Sequence, residues 1–570
     1  MGYISRVLSW VVLATVLFGC DYGGGTDDQA QGDTPLAIVV APLESACAGT
    51  KASAVDSYRV CGQAPLELGD GTFGIRKLFD KSASPATDLF VRKIPVNDSY
   101  EVTVVGFSGG QPAFLSRRKN VKVSVDKTTD VDMVLVPYNQ SACLSLDAAG
   151  KPNHRLFSAA VELPDGRVFV TGGFTGLVPD GQGSTDKFLL ASGSKGTYFI
   201  DPATGQVSKG PELLEGRGAH AVVYVPALEK AVVLGGASEL LWRPADADLA
   251  LKYDSKAGLN TVEIIDFKQD PPVVTQGQAM MLKRVFPVVN RIGSEEIVIT
   301  GGGRWPNPES DYKDAEFFNV ATSTIDPTIL ASDFVPRSGH TMTFVKNENV
   351  SGNTIEVYLL WGGSLNDPKA SLLRNTRTSG KSSVTFADLD ITGDIPERTY
   401  FHSMTALGQD RFLALGGVAL DSNKKLTRLE NSFAYLITYT NPGGNSPTLA
   451  VSARTGFPNP RIFHTATSHD GKVVTIVGGF LGLNGSATDQ VAYFDADALT
   501  FASEPQPTGG FAARAGHVAL SLKNDALYLG GGISAAEDLT KAEQMLSELI
   551  VPGMVRYCDA LVPVKGEGGN

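Results

Sequence analysis

Histidine and tryptophan are scarce in this chain, seven and four among 570 residues, and cysteine is hardly more plentiful at five. No Cys-x-x-Cys pair and no His-Glu-x-x-His occurs, which removes the commonest zinc-site patterns. No Gly-x-x-x-x-Gly-Lys-Ser/Thr is present to cradle phosphates, and no Asp-x-Asp-x-Asp-Gly to hold calcium. No cofactor and no metal are therefore expected. Positive charge is also in deficit, with 49 Lys plus Arg against 61 Asp plus Glu and a net charge of −12. Such a surface repels DNA and anionic lipid headgroups in bulk, so nucleic acid is excluded as a partner and only local basic clusters stay open.

Glycine, by contrast, is abundant, and it is placed regularly. Seven times an Arg is followed by a short hydrophobic strand, a turn, a second hydrophobic strand and a Gly-Gly. The arginines are Arg155, Arg217, Arg284, Arg337, Arg398, Arg461 and Arg514, and the pairs begin at Gly172, Gly235, Gly301, Gly362, Gly416, Gly478 and Gly530. Subtraction gives gaps of 17, 18, 17, 25, 18, 17 and 16 residues, the long one holding a polar insert, Asn347 to Thr354. A fixed period of this kind signals a repeat architecture.

Each unit reads as a small sheet. Before the glycines stand apolar runs such as Val168 to Val170, Val232 to Leu234 and Ile297 to Ile299, suited to strands buried on both faces. Turn signals such as Asp165-Gly166, Asp470-Gly471 and Asn524-Asp525 make a hairpin with the strand ahead. A third strand follows several pairs, as at Thr197 to Asp201, Val262 to Phe267 and Val491 to Asp495. The paired glycines mark places that need positive φ or close backbone approach. Roughly 50–65 residues per unit suffice for four strands and a long loop, and sheets packed radially leave only short edges.

The pattern resembles kelch repeats, β-propellers whose blades carry a paired glycine after the second strand, as in the central domain of galactose-oxidase-like proteins. The resemblance covers about three-quarters of the chain. It departs from the family at the Trp position after the glycines, where none of Trp10, Trp242, Trp305 and Trp361 falls, although Tyr198, Phe317 and Tyr493 stand nearby. It implies an all-β chain with a seven-bladed kelch-like β-propeller over residues 138–565, expected to be monomeric. It also implies a role for the repeat arginines, since comparable arginines in some kelch propellers contact acidic ligands. The seven arginines would then ring one mouth of the channel, with Arg337 and Arg514 the most accessible because small residues follow them. The alternative is that each Arg caps carbonyls between blades and pairs with a buried acid. His220, His340, His464 and His517 stand three residues after the repeat Arg and His402 four after, so a repeated structural hydrogen bond is expected of them.

Ahead of the repeats, Arg6 and the apolar stretch Val7 to Phe18, too short to anchor as a membrane span, end in Leu17-Phe18-Gly19-Cys20. This resembles a bacterial lipobox, which implies a signal peptide over residues 1–20, acylation of Cys20 and a lipid anchor in the cell envelope. Residues 21–35 are rich in Gly, Asp and Gln and read as a flexible tether. Four cysteines remain. Cys47 and Cys61 are expected to pair within the first folded unit, and Cys143 with Cys558 across the two ends of the repeats, other pairings staying open. Residues 36–137 carry alternating strands, Leu36 to Val40, Asp88 to Val91, Tyr100 to Val105, Val121 to Val125 and Val131 to Val136, and read as a small antiparallel β-sandwich serving as a stalk. Its closing run resembles the ends of transthyretin-like and carboxypeptidase-regulatory-like sandwiches.

Catalytic signatures do not accumulate. Copper oxidases related to galactose oxidase need a Cys cross-linked to Tyr, and every Cys here has another expected fate. Sialidase Ser-x-Asp-x-Gly-x-Thr-Trp boxes are missing. The Gly-x-Ser-x-Gly at Gly106 to Gly110 continues into Gln111-Pro112 and reads as a hairpin loop, and the Gly-x-Gly-x-x-Gly at Gly69 to Gly74 lies in no βαβ unit. Function is therefore expected in the long, dissimilar loops after each Gly-Gly. Trp242, Trp305 and Tyr312 are candidates for glycan or protein contact there. The reading is a membrane-anchored envelope or surface lipoprotein that binds a protein or glycan; the alternatives are a carbohydrate-acting enzyme at the propeller mouth and a structural envelope component.

Overall fold

A computed structural model describes residues 35–42, 55–68, 72–84, 88–140, 142–144, 155–179, 189–202, 205–243, 250–252, 258–303, 315–326, 334–350, 352–364, 370–378, 381–394, 399–420, 426–428, 434–441, 446–457, 461–469, 471–481, 487–502, 513–522, 524, 526–534 and 548–550. Among them every regular element is a β-strand, so the chain is all-β. No helix of the described residues is long and apolar enough to cross a membrane.

The first seven strands are β1 (Leu36–Pro42), β2 (Ser57–Leu68), β3 (Thr72–Ala83), β4 (Asp88–Val91), β5 (Asn97–Ser108), β6 (Gln111–Val123) and β7 (Thr129–Pro137). They pair in the order β3-β2-β5-β6-β7-β1-β4. The β6–β7 link is only Phe114↔Pro137 and Leu115↔Val136, so a four-stranded half and a three-stranded half curl around one core. Strand alternation builds that core: Leu36, Ile38 and Val40 of β1 meet Tyr100, Val102 and Val104 of β5.

Two features depart from the expected antiparallel sandwich. β1 runs parallel to β7, from Leu36↔Thr129 to Pro42↔Leu135, because nearly the whole unit intervenes between them and can carry the crossover. The β2–β3 hairpin was not foreseen, since Gly62 and Pro65 interrupt its pattern. Gly62 sits at a bulge where the register shifts, and a Cβ there would overlap the Phe79 ring. Ser108 pairs with Gln111 across Gly109 and Gly110, both at positive φ, so the Gly-x-Ser-x-Gly is a two-residue hairpin turn. Thr72 to Gly74 lie in β3 against β2, with no helix to bind a dinucleotide.

Of the nine further sheets, seven each hold the apolar strand that precedes a glycine pair. In the first, Ala159–Glu162, Val168–Thr171, Thr197–Asp201 and Gln206–Lys209 pair in chain order, all antiparallel. The same arrangement recurs in the second, third, fourth and sixth. The fifth gains a parallel strand, Asp390–Gly393, beside Thr448–Arg454. In the fourth the polar insert extends a hairpin, Thr341–Val350 with Asn353–Trp361. The seventh combines both ends of the repeats: Val518–Ser521, Leu527–Gly530 and Glu548–Ile550 are joined by Ala142–Cys143.

The first strands of successive sheets lie side by side, and that of the seventh, Val518–Ser521, lies against that of the first, Ala159–Glu162. Contacts between first strands thus run from each sheet to the next and from the seventh back to the first. The small N-terminal sheet packs on the closing seam. Cys61, Val105, Leu115 and Val136 share one apolar cluster with Val168 and Val170 of the first repeat sheet and Leu522 and Tyr528 of the seventh. Cys61 is buried and disulfide-bonded.

Candidate functional site

The glycine pairs form the joints between sheets. The second glycine donates its N–H to the backbone carbonyl at the Arg position of the next repeat: Gly173 to Arg217 (2.8 Å), Gly236 to Arg284 (2.7 Å), Gly417 to Arg461 (3.0 Å), Gly479 to Arg514 (2.8 Å) and Gly532 to Arg155 (2.8 Å). The last of these closes the cycle. Both glycines hold positive φ, 56° and 94° at Gly172 and Gly173, and a Cβ on Gly172 would overlap the Arg217 carbonyl.

Two sequence assignments shift by one residue. In the fifth repeat the carbonyl that accepts from Gly363 belongs to Thr399, at 2.8 Å. Thr399 therefore holds the Arg position, and His402 then stands three residues on, as in the other repeats. Arg398 lies outside the described residues. In the seventh repeat Gly531 and Gly532 hold the positive-φ pair while Gly530 ends the strand, so Arg514 to Gly531 spans 17 residues (531 − 514), the common gap.

Arg155, Arg217, Arg284, Arg337, Arg461 and Arg514 are all buried. Five of them donate through Nη1 to the first glycine carbonyl of their own repeat: Arg155 to Gly172 (2.7 Å), Arg217 to Gly235 (2.9 Å), Arg284 to Gly301 (2.6 Å), Arg337 to Gly362 (2.6 Å) and Arg461 to Gly478 (3.2 Å). The remaining donors reach across to the third strand or the residue before it. Arg155 meets the Tyr198 hydroxyl (2.9 Å), Arg337 the Ser371 hydroxyl (2.8 Å) and Arg461 the Gln490 side chain (3.3 Å). Arg217 pairs with buried Glu263, and Arg284 with buried Glu316 at 3.0 Å. Burial pushes the Arg337 and Arg461 guanidiniums down to about 10, which leaves them protonated at neutral pH. The six guanidiniums are thus buried, five of them capping a glycine carbonyl of their own repeat and two of those also paired with a buried acid. Glu263 and Glu316 were missed in the sequence because an acid stands at that register in only three of the seven repeats, Glu548 being the third.

The histidines form the second half of each joint. Nε2 of His220 meets the Thr171 hydroxyl of the preceding repeat at 2.8 Å. His340 meets Thr300 (3.0 Å), His402 Thr341 (3.0 Å), His464 Ser403 (2.8 Å) and His517 Thr465 (2.8 Å). Burial, reinforced by the neighbouring arginine, lowers His220 and His464 to about 3 and His402 to about 4, so these rings are neutral. They do not converge. Among the described residues no three His, Cys, Asp or Glu side chains are grouped to hold a metal ion.

Two residues after each Arg position the chain turns inward. Phe157, Ala219, Phe286, Gly339, Phe401, Phe463 and Gly516 all adopt left-handed φ between 52° and 66°. Backbone bonds link many of them head to tail: Ala219 N–H to Phe157 O (2.9 Å), Phe286 to Ala219 (2.8 Å), Phe401 to Gly339 (2.8 Å), Gly516 to Phe463 (3.0 Å) and Phe157 to Gly516 (2.9 Å). Phenylalanine at positive φ costs about 1–3 kcal/mol, and the inward turn brings the rings together. Phe157 stacks edge-on against Phe286 (5.0 Å) and Phe463 (4.9 Å), and Phe401 lies 5.2 Å from Phe463. Phe286, Phe401 and Phe463 are only partly buried and form an aromatic floor at the end of the cycle where the first strands begin.

Described segments after the glycines start beside this floor, as where Phe174 donates its N–H to the Leu156 carbonyl (2.7 Å), and some of them pair into sheets. Phe174–Pro179 and Leu189–Gly193 from the first repeat join Glu239–Arg243 and Ala250–Lys252 from the second in one four-stranded sheet. Thr399–Tyr400, Val418–Leu420 and Leu426–Arg428 form a three-stranded sheet in the fifth. Trp242 belongs to the strand Glu239–Arg243, opposite Leu189. Trp305, Tyr312, Cys20, Cys47 and Cys558 lie outside the described residues, and Cys143 is described as part of the closing strand, opposite Glu548. The scan against protein-family models finds no match, and the search of curated proteins finds no relative.

Proposed function

We propose that the chain is an envelope lipoprotein whose seven sheets are the blades of a kelch-like propeller, and that the propeller binds a protein or glycan partner through the hairpin sheets around its aromatic floor. The observation that carries this reading is a division of labour. The repeated Arg, His and Gly residues are occupied inside the joints, while the segments after the glycines differ in sequence from repeat to repeat and the described ones start beside the aromatic floor. A rigid scaffold with variable projecting loops is the usual layout of a binding module. The cycle of neighbouring first strands and the Gly532 to Arg155 bond support the propeller. The apolar stretch ending at Cys20 supports the anchor. Cys47–Cys61 and Cys143–Cys558 are the proposed disulfides, the second fastening the short strand that closes the ring.

The test is a binding screen of the mature chain against glycans and envelope fractions, with a Glu239→Arg, Trp242→Ser double variant as comparator. Loss of a retained partner in the variant, with an unchanged thermal midpoint, supports the hairpin site. Equal binding by both chains removes the site from this sheet. Retention of nothing, accompanied by turnover of a polysaccharide, replaces the binding reading with an enzymatic one.

A further inference from the structure

Eight large hydrophobic side chains stand exposed among the described residues, and four of them belong to the small N-terminal sheet: Val39 (43%), Phe90 (64%), Val96 (51%) and Val125 (46%). Register brings them together. Phe90 is the partner of Ala37, next to Leu36, which pairs with Val91 on one side and Thr129 on the other. Asn97 pairs with Val123, so the loop holding Val96 and the turn holding Val125 flank the same end. The chain arrives at this end as well, since Thr129 donates its N–H to the Pro35 carbonyl at 3.0 Å. Val39 lies further along the outer face of β1, opposite Asp88.

The charges at this end are mixed, and the exposed Asp130 and Asp132, partners of Ala37 and Val39, stand among them. Arg92, Lys93 and Lys127 are exposed beside the valines. Asp126 shares the turn with Lys127, and Asp98 is paired to Lys122 at 2.7 Å. The opposite end of β7, at Val136, is the one that joins the apolar cluster shared with the ring. Nine residues of β7 separate the two ends, about 30 Å at the rise of an extended strand. The small sheet thus has polarity: one end is fixed to the ring, and the other carries the tether, the exposed apolar side chains and the cations.

We infer that this end is a membrane-contacting foot, in which Phe90, Val96 and Val125 sit in the headgroup region of a bilayer while Arg92, Lys93 and Lys127 meet lipid phosphates. The inference rests on the reading of Cys20 as a lipid anchor. The segment from Cys20 to Pro35 reaches at most about 50 Å, so the acyl chains hold this end near the surface without forcing contact. Apolar side chains with basic neighbours add to a lipid anchor in the way that a second membrane signal does. The ring then stands away from the surface with a set orientation rather than swinging on the tether.

The test uses the full mature chain, with its own modification, in vesicles of phosphatidylethanolamine and phosphatidylglycerol. Phe90→Trp places a reporter on an exposed site, and the parent chain supplies the background of the ring tryptophans. The expected result is a blue shift and quenching by brominated acyl chains, as for a side chain sunk about 5–10 Å into the headgroup–acyl boundary. Both should be lost when Val96→Asp and Val125→Asp are added, with the circular dichroism spectrum unchanged. The mass of the N-terminal peptide tests the anchor separately. An acylated chain bound to vesicles whose Trp at position 90 is neither shifted nor quenched overturns the foot and leaves the anchor standing. An unacylated chain whose reporter is still quenched supports the foot and removes the anchor. A blue shift that appears in vesicle-free solution and grows with protein concentration assigns the surface to a second copy of the chain and overturns the foot.

Discussion

The small N-terminal sheet and the ring are both all-β, yet they are held together by different chemistry. In the small sheet the core cluster is built of hydrophobic side chains, Tyr58 and Tyr100 among them, and ion pairs such as Arg59–Asp80 are partly exposed, at 36% and 25%. In the ring the joints between sheets are made of buried charges, neutral imidazoles and positive-φ glycines. An apolar core tolerates changes of pH and is indifferent to the direction of its contacts. A buried polar joint is directional and sets the angle at which one sheet meets the next, but it is costly when any member is removed or protonated.

The largest separation between the two regions is expected with pH. The buried histidines have folded pKa values depressed below the ordinary 6.5, so the unfolded chain takes up protons first as pH falls. Their contribution is intact above pH 6.5 and is lost progressively through the window down to about 3–4. At pH 5 each of His220, His402 and His464 costs about 2 kcal/mol, on the order of 6 kcal/mol for the three acting independently. Residues 36–137 contain no histidine. Hydrogen exchange at pH 7 and pH 5 should therefore show protection falling in the ring strands well before β1–β7. Equal loss in both regions would break the comparison.

Single buried charges come next. Arg284→Met leaves Glu316 buried without its partner and is expected to cost about 3–5 kcal/mol in urea denaturation. Arg59→Met, at a partly exposed pair, should cost less than about 1 kcal/mol. Glycines sharpen the contrast further. Gly363→Ala puts a Cβ against the Ser338 carbonyl at φ 68° and should destabilise by about 2–3 kcal/mol. Gly109→Asn, at φ 57° with open space around it, should shift the thermal midpoint little. A single buried hydroxyl has an intermediate effect. Thr171→Val removes the partner of His220 Nε2 and should cost about 1–3 kcal/mol, measured by the same denaturation.

Periodicity made the number of units legible, because an Arg and a glycine pair must recur wherever the same joint recurs. It misplaced two members. Arg398 matches the residue type, but the backbone carbonyl that completes the joint belongs to Thr399, and the joint selects a position in space rather than an arginine. Three consecutive glycines hid which two turn the chain, and the φ values choose Gly531 and Gly532. The loops after the first and second glycine pairs read as separate segments, yet they share a sheet through Leu189–Trp242 pairing, a contact between residues 53 apart (242 − 189) that no local pattern announces. The parallel β1–β7 pair was invisible for the same reason.

Local sequence determined the strand-forming runs, the hairpin turns and the positions where only glycine fits, since these depend on side-chain alternation and backbone sterics within a few residues. It also set the chemistry available to each joint. Whether an arginine faces a ligand or a neighbouring carbonyl was decided by the tertiary structure alone. Packing of neighbouring first strands buries the arginines that precede them, and a guanidinium buried there must find its acceptors within the protein. Tertiary packing also turned one face of the small sheet toward the seam and left Phe90 and its neighbours at the far end, next to the tether.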